Sequence, residues 1–288
     1  MAFAVNIRGR LVRFERPAVM GIVNVTDDSF YAGSRATERD AIARRLETVV
    51  SEGADIVDIG ACSTRPGSQP VDSGLETERL AVAVELVRQT AGDIPVSVDT
   101  YRADVARILV GEVGADIVND ISGGTMDAAM LQTVADLGCP YVLMHMRGIP
   151  ADMQTRCDYA DVTAGVLAEL ADSVARAALA GVNDIIIDPG LGFAKTLEQN
   201  YRLLHDLQVL KSALRRPLLV GASRKSMITK ALGISADEAL NGTTAVNTLA
   251  LDRGADILRV HDVRAARQAV DLYMLTATGG AQAQTGVI

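Results

Sequence analysis

The chain has 288 residues, 49% of them hydrophobic, with a formal net charge of -8. Aromatic residues make up 3%, Trp is absent and no basic run occurs, which excludes a charged or stacking platform for nucleic acid. No apolar run approaches the roughly 20 residues of a membrane span. The opening MAFAVNIRGRLVRFE has no apolar centre of a signal peptide, and Cys62, Cys139 and Cys157 follow no metal-ligand spacing. A soluble cytoplasmic protein with reduced thiols, binding neither nucleic acid nor membrane, is expected.

In chain order, residues 17–25 (PAVMGIVNV) predict a first strand ending near Asn24. A polar loop holding Thr26, Asp27, Asp28, Ser29, Phe30, Gly33 and Ser34 follows, either a lid or a plain surface loop. Helical spacing then runs from Ala36 to Glu52. The second strand is Asp55 to Ala61, followed by the loop CSTRPGSQPVDSG and a helix over about 75–90. PVSVDT ends a third strand at Asp99, a fourth ends at Asn119 and Asp120, and PYVLMHM ends a fifth near Met144 and His145. The insert RGIPADMQTRCDY precedes a helix to Ala180.

The sixth strand lies in NDIIIDPGLGFAK, residues 183–195. Three consecutive isoleucines suit a strand buried on both faces, and Pro189 ends it just after Asp188. An acid at that end either belongs to a site or caps the next turn. PLLVGAS runs a seventh strand into Ser223-Arg224-Lys225-Ser226, and ADILRVHD closes the series with Arg259 and His261. Ser226 opens a helix, where free backbone N–H groups favour an anion, an ordinary cap being the alternative.

A recurring link supports one architecture. Gly53-Ala54-Asp55, Gly114-Ala115-Asp116, Gly181-Val182-Asn183-Asp184 and Gly254-Ala255-Asp256 each close a helix and open an apolar strand. Eight strands alternating with helices predict an α/β fold of the (β/α)8 TIM-barrel type, a single domain over 1–288 with the barrel at about 17–278 and a frayed tail. A doubly wound open sheet would want a GxGxxG after the first strand, which is absent. In a barrel the strand ends share one mouth, so Asn24, Asp58, Asp99, Asn119, Asp188, Lys225, Arg259 and His261 would ring a cavity suited to a polar heterocycle and an anion.

Several of these segments form a series. NVTDDSF at Asn24–Phe30, STRPG at Ser63–Gly67, VDT at Val98–Thr100, Asn119-Asp120, LMHMRG at Leu143–Gly148, DPGLGFAKT at Asp188–Thr196, SRKS at Ser223–Ser226 and RVHDV at Arg259–Val263 occur in order. Together, over about residues 17–275, the chain resembles the dihydropteroate synthase family of the folate pathway. The resemblance implies a transferase that joins 4-aminobenzoate to 6-hydroxymethyl-7,8-dihydropterin diphosphate, releasing pyrophosphate. It places Asp99, Asn119, Asp188 and Lys225 on the pterin, with Ile121 and Met144 as walls. Asn24, Arg259 and His261 would hold the diphosphate, Asn24 through Mg2+. Thr64, Arg65, Pro66, Phe193 and Ser226 would form the aminobenzoate site. Arg65, Lys225 and Asp99 take the catalytic roles, and a homodimer is implied, in a family that sulfonamides target.

Three positions depart from the family pattern. Asp27 stands where the first loop usually has Pro, Ala32 where a second loop acid often follows, and Cys62 where an acid precedes STRPG. The first two would loosen a lid over the aminobenzoate, since losing Pro raises the entropy of an open loop. These departures motivate one alternative, a catalytically weak pterin-binding paralogue, against which the intact Thr64, Arg65, Lys225 and Ser226 argue. A pterin-dependent methyltransferase would share the barrel but lack STRPG, SRKS and the RxH pair.

Overall fold

The computed structural model describes residues 2–25, 35–61 and 71–280. The loop positions Thr26 to Ser34, the positions Cys62 to Pro70 and the last eight residues of the expected frayed tail lie outside them. A hairpin comes first, β1 (Phe3–Ile7) and β2 (Arg10–Phe14). Then follow β3 (Ala18–Asn24), β4 (Ile56–Gly60), β5 (Val96–Asp99), β6 (Ile117–Asp120), β7 (Tyr141–Met144), β8 (Ile185–Asp188), β9 (Leu219–Val220) and β10 (Ile257–Val260). These eight pair in parallel in the order β8-β7-β6-β5-β4-β3-β10-β9. A parallel bridge from Ile187 to Leu218 joins the two ends of that order. The sheet therefore curls into a (β/α)8 barrel, and the open-sheet alternative falls.

Helices alternate with the strands outside: α1 (Arg35–Ser51), α2 (Ser73–Ala91), α3 (Ala103–Ile108), α4 (Met130–Leu137) and α5 (Val162–Leu179). Pairs of shorter helices serve the last two crossovers, α6 (Leu197–His205) with α7 (Leu207–Leu214), and α8 (Ser226–Leu232) with α9 (Leu240–Asp252). The final helix is α10 (Val263–Ala277). Strand alternation sorts the core. Val57, Val96, Val118, Leu143, Ile185 and Ile187 pack outward with the helices. Met20, Ile56, Ile117, Val142, Ile186, Leu219 and Ile257 face inward as a separate apolar layer. Among the described residues, no helix is long and apolar enough to cross a membrane.

The hairpin is absent from the sequence reading above. It closes the barrel at the strands' N-terminal end, where Val5 and Ile7 join the inward layer with Met20 and Ile56. Arg8 (φ 50°) and Gly9 (φ 74°) form its two-residue turn, both left-handed as a type I′ connection requires. Phe3 stacks on Phe14 with ring centroids 4.7 Å apart.

The recurring glycine-to-aspartate link proves to build this same floor rather than the mouth. Asp55, Asp116 and Asp256 accept hydrogen bonds from the backbone N–H of Val19 (2.7 Å), Val96 (2.8 Å) and Leu218 (2.9 Å), each at the start of the neighbouring strand. Each carboxylate also meets a base that donates to the link's own glycine carbonyl. Those pairs are Arg267 with Gly53, Arg88 with Gly114 and Lys211 with Gly254. The fourth, Asp184, receives the hairpin instead, through Asn6 N–H at 3.3 Å. Such charge-assisted bonds satisfy strand-start donors that no ladder reaches.

Candidate active site

At the opposite end, the inward positions turn polar. Asp58 follows Ile56 on the inner face of β4 and is fully buried. Asn119 Nδ2 on β6 donates to both of its oxygens at 3.3 Å. Arg259 on β10 donates through Nε to Asp58 at 2.7 Å and through Nη2 to Asp99 on β5 at 2.6 Å. Burial works against the Arg259 charge, but Asp58 and Asp99 outweigh it and hold its pKa above the ordinary value. For Asp99 burial prevails over Arg259, and its carboxyl is pushed up to about 7. Gly60 lies in register between Asn24 and Asp99. A Cβ there would meet Asn24 Oδ1 at 3.6 Å and Asp99 at 3.5 Å, ordinary contact distances, so both side chains lie directly against this position. Asn24 itself is exposed.

Across the mouth, Asp188 ends β8 with Oδ1 accepting from Gly190 N–H at 2.7 Å. Burial raises its pKa, and Lys225 opposes that rise. Lys225 follows β9, donates to the Leu191 carbonyl at 2.7 Å and sits 4.6 Å from the centre of the Phe193 ring. Burial draws its ammonium down to about 8 despite Asp188. The side of the mouth formed by β6–β8 is apolar: Ile121, Met144, Met146, Met153 and Phe193 form one cluster. A charged, hydrogen-bonding wall thus faces a thioether and aromatic one, a cavity form suited to a flat polar ring.

The anion end is less cationic than the sequence suggested. Burial and the nearby Arg259 press the His261 pKa down to about 4, so the ring is neutral near pH 7 and offers a hydrogen bond rather than a charge. Its Nδ1 pairs with Ser223 Oγ at 3.1 Å. Arg45 of α1 donates to the His261 carbonyl at 2.7 Å, and Arg224 grips Asp262 at 2.6 and 3.0 Å. Ser226 is the exposed first residue of α8. Among the described residues no group of three or more His, Cys, Asp or Glu could hold a metal ion.

Residues 20–261 match the model of the pterin binding enzymes. The chain is 45% identical to the dihydropteroate synthase of Synechocystis sp., over 88% of each chain. It is 43% identical to that of Mycobacterium leprae, over 88% of this chain and 90% of the relative. The fold superimposes on Xanthomonas albilineans dihydropteroate synthase, solved with 4-aminobenzoic acid, with a TM-score of 0.87 at 38% identity, covering 96% and 99% of the two chains. The chain belongs to the dihydropteroate synthase family. It is a transferase of folate synthesis that acts on small molecules.

The family's barrel thus brings together Asn24, Asp99, Asn119, Ile121, Met144, Asp188, Phe193, Lys225, Ser226, Arg259 and His261 at one end. Thr64, Arg65 and Pro66, with the departures at Asp27, Ala32 and Cys62, lie outside the described residues. Sequence reasoning put Asp58 in the ring but gave it no role, noted His145 at a strand end and Lys195 in the loop after Asp188 without a role for either, and did not single out Arg45. The one signal for Lys195 was its place in the loop that follows Asp188.

Proposed function

We propose that the protein condenses 6-hydroxymethyl-7,8-dihydropterin diphosphate with 4-aminobenzoate, giving 7,8-dihydropteroate and pyrophosphate. The carrying observation is the convergence of Asp99, Asn119, Asp188, Lys225 and Arg259, from five different strand ends, on one polar cluster. In this reading Asp188 and Asn119 take the donor and acceptor edge of the pterin, Lys225 and Asp99 its ring nitrogens, and Met144 and Ile121 its faces. Arg259 and the neutral His261 hold the diphosphate.

The methylene carbon–oxygen bond then breaks, and its electron pair leaves with the diphosphate. The pterin cation that remains sits among the Asp99 and Asp188 carboxyl groups, which stabilise it. The neutral amine of 4-aminobenzoate attacks the methylene carbon and afterwards releases a proton. Phe193 and Ser226, with Thr64, Arg65 and Pro66, form the aminobenzoate site. No protein nucleophile enters.

Mg2+ fits the donor set in one way: Asn24 offers a single exposed oxygen, and the remaining ligands would be phosphate oxygens and water, as this hard cation prefers. Bound there, it would supply positive charge to the leaving diphosphate. We propose a homodimer as well, supported by Tyr201, Val209, Leu232, Leu240 and Leu249. These are five of the ten exposed large apolar side chains among the described residues, and all lie on α6–α9.

The test is pyrophosphate release by purified protein with Mg2+ and the pterin diphosphate, with and without 4-aminobenzoate. Release that requires aminobenzoate, with dihydropteroate formed in step, supports the synthase. Tight pterin binding without that release supports the weak paralogue.

A further inference from the structure

Lys195 is a buried amine with no assigned task, its pKa drawn down to about 7 by burial. It is 3% exposed, yet among the described residues no carboxylate lies within hydrogen-bond reach of its nitrogen. Instead Nζ donates to the Gly190 carbonyl (3.0 Å), the Phe193 carbonyl (2.9 Å) and His145 Nδ1 (3.0 Å). An ammonium has three protons, and all three are used. For Nδ1 to accept, the His145 ring must carry its proton on Nε2. That nitrogen faces Glu169 Oε2 at 3.0 Å, and Arg147 Nε in turn binds Glu169 at 2.9 Å. The tautomer that receives Lys195 is therefore set from the protein surface. Burial keeps the ring neutral, drawing its pKa to about 4.

What Lys195 grips is a tight turn that already has one backbone tie, Phe193 N–H to the Gly190 carbonyl at 3.1 Å, with Leu191 and Ala194 fully buried. Between Pro189 and Lys195 the backbone turns left-handed three times, at Gly190 (φ 67°), Gly192 (φ 88°) and Ala194 (φ 49°). An alanine in that region is strained and persists only where its surroundings enforce it. Asn200 Oδ1 accepts from Gly192 N–H at 2.6 Å and steadies the middle. Lys195 joins the Gly190 carbonyl to that of Phe193. Between those two points the loop presents the Leu191 carbonyl to Lys225 and the Phe193 ring beside it.

We propose that Lys195 is a positioning residue for the second substrate: by tying Gly190 to Phe193 it sets the Phe193 ring and the Leu191 carbonyl before 4-aminobenzoate arrives. The proposal rests on the reading of Phe193 as an aminobenzoate wall. The pterin depends mainly on Asp99, Asn119 and Asp188, which the strands hold, and meets the loop only through Lys225 and its bond to the Leu191 carbonyl, so loss of the tie falls more heavily on aminobenzoate than on the pterin.

Lys195→Met keeps the length of the side chain and removes the ammonium. We expect the KM for 4-aminobenzoate to rise about tenfold, with the dissociation constant of pterin diphosphate, measured by calorimetry, within about threefold of the wild type. Amide hydrogen exchange at Gly192 and Phe193 should quicken in the same variant, a readout that needs no turnover. Combining Lys195→Met with Phe193→Ala should add little to Phe193→Ala alone, because both act through the same ring. If Lys195→Met does not fold, His145→Leu, which removes one acceptor, should give a smaller rise in the same KM. A folded Lys195→Met protein with an unchanged aminobenzoate KM overturns the proposal, as does an equal loss for both substrates. Wild-type protein with no aminobenzoate-dependent release would refute the synthase reading itself and the positioning role with it. The exchange rates would then still decide whether Lys195 ties the loop.

Discussion

Asp58 and Arg259 lie 201 residues apart in the chain and meet at 2.7 Å across the barrel. The carboxylate is fully buried, and the guanidinium reaches on from it to Asp99. The cation at the anion end is thus held in place by two acids, one beneath it and one at the mouth. Asp58→Ala should cost about 3 kcal/mol, because it leaves a largely buried charge with one partner fewer. Urea unfolding would read this as a lower midpoint at unchanged slope. Turnover should fall as well, since Arg259 loses its anchor.

Acid stability carries the mark of the buried histidines. Burial lowers His145 from 6.5 to about 4, so between those values the unfolded chain binds a proton that the folded ring refuses. The unfolded state then binds more protons, unfolding free energy rises with pH, and stability is lost as pH falls from 6.5 towards 4. His261 behaves alike, while the raised Asp99 acts in the opposite sense. His145→Gln leaves those two in place. The slope of stability against pH across this window should therefore be shallower in the variant by about one proton.

The barrel floor can be weakened without touching chemistry. Ile7 is buried against Met20 and Ile56 at the end remote from Asp99 and Lys225. Ile7→Ala should lower stability by about 2–4 kcal/mol through the cavity it leaves, with kcat and both KM values unchanged below the new melting point. A fall in kcat in still-folded protein would contradict the separation of floor from mouth.

Gly190 admits no side chain. A Cβ there would stand 2.0 Å from the His145 carbonyl oxygen, on a residue whose φ is 67°. Gly190→Ala should destabilise the protein by about 1–3 kcal/mol and shift the loop that bears Phe193. The aminobenzoate KM is the sensitive measurement, and a wild-type value would mean that the loop absorbs the strain elsewhere.

Arg65 belongs to the STRPG segment, outside the described residues. Arg65→Ala should slow turnover strongly while pterin diphosphate still binds, as calorimetry beside a pyrophosphate assay would register. Unchanged turnover would remove Arg65 from the mechanism.

The fold and most of the mouth were legible because short apolar strands ending in acids, amides and bases mark themselves in the chain. Asp99, Asn119 and Asp188 needed only their place at the carboxyl ends of short apolar strands to be found. What escaped depends on contacts the chain order hides. Asp58 acquires its purpose only when Arg259 arrives from the last strand. A lysine in a glycine-rich loop looks solvated until its ammonium is seen among carbonyls. The recurring links marked the strand starts, but not that their aspartates bind the backbone of the neighbouring strand there. The hairpin was passed over although Phe3, Val5, Ile7, Val12 and Phe14 alternate around Arg8-Gly9. The segment PLLVGAS gave only a two-residue strand, because its neighbours divide it: Leu218 bridges to β8, while Leu219 and Val220 pair with β10.

The sealed floor also decides how the molecule can be handled. Leu11, on the hairpin's outer strand, is 71% exposed and points away from the packed layer behind it. A label or bead coupled there would orient every copy with its opening toward the liquid. A sensor surface made this way could follow small-molecule uptake without a spacer, because the attachment lies at the end of the barrel opposite Asp99 and Lys225.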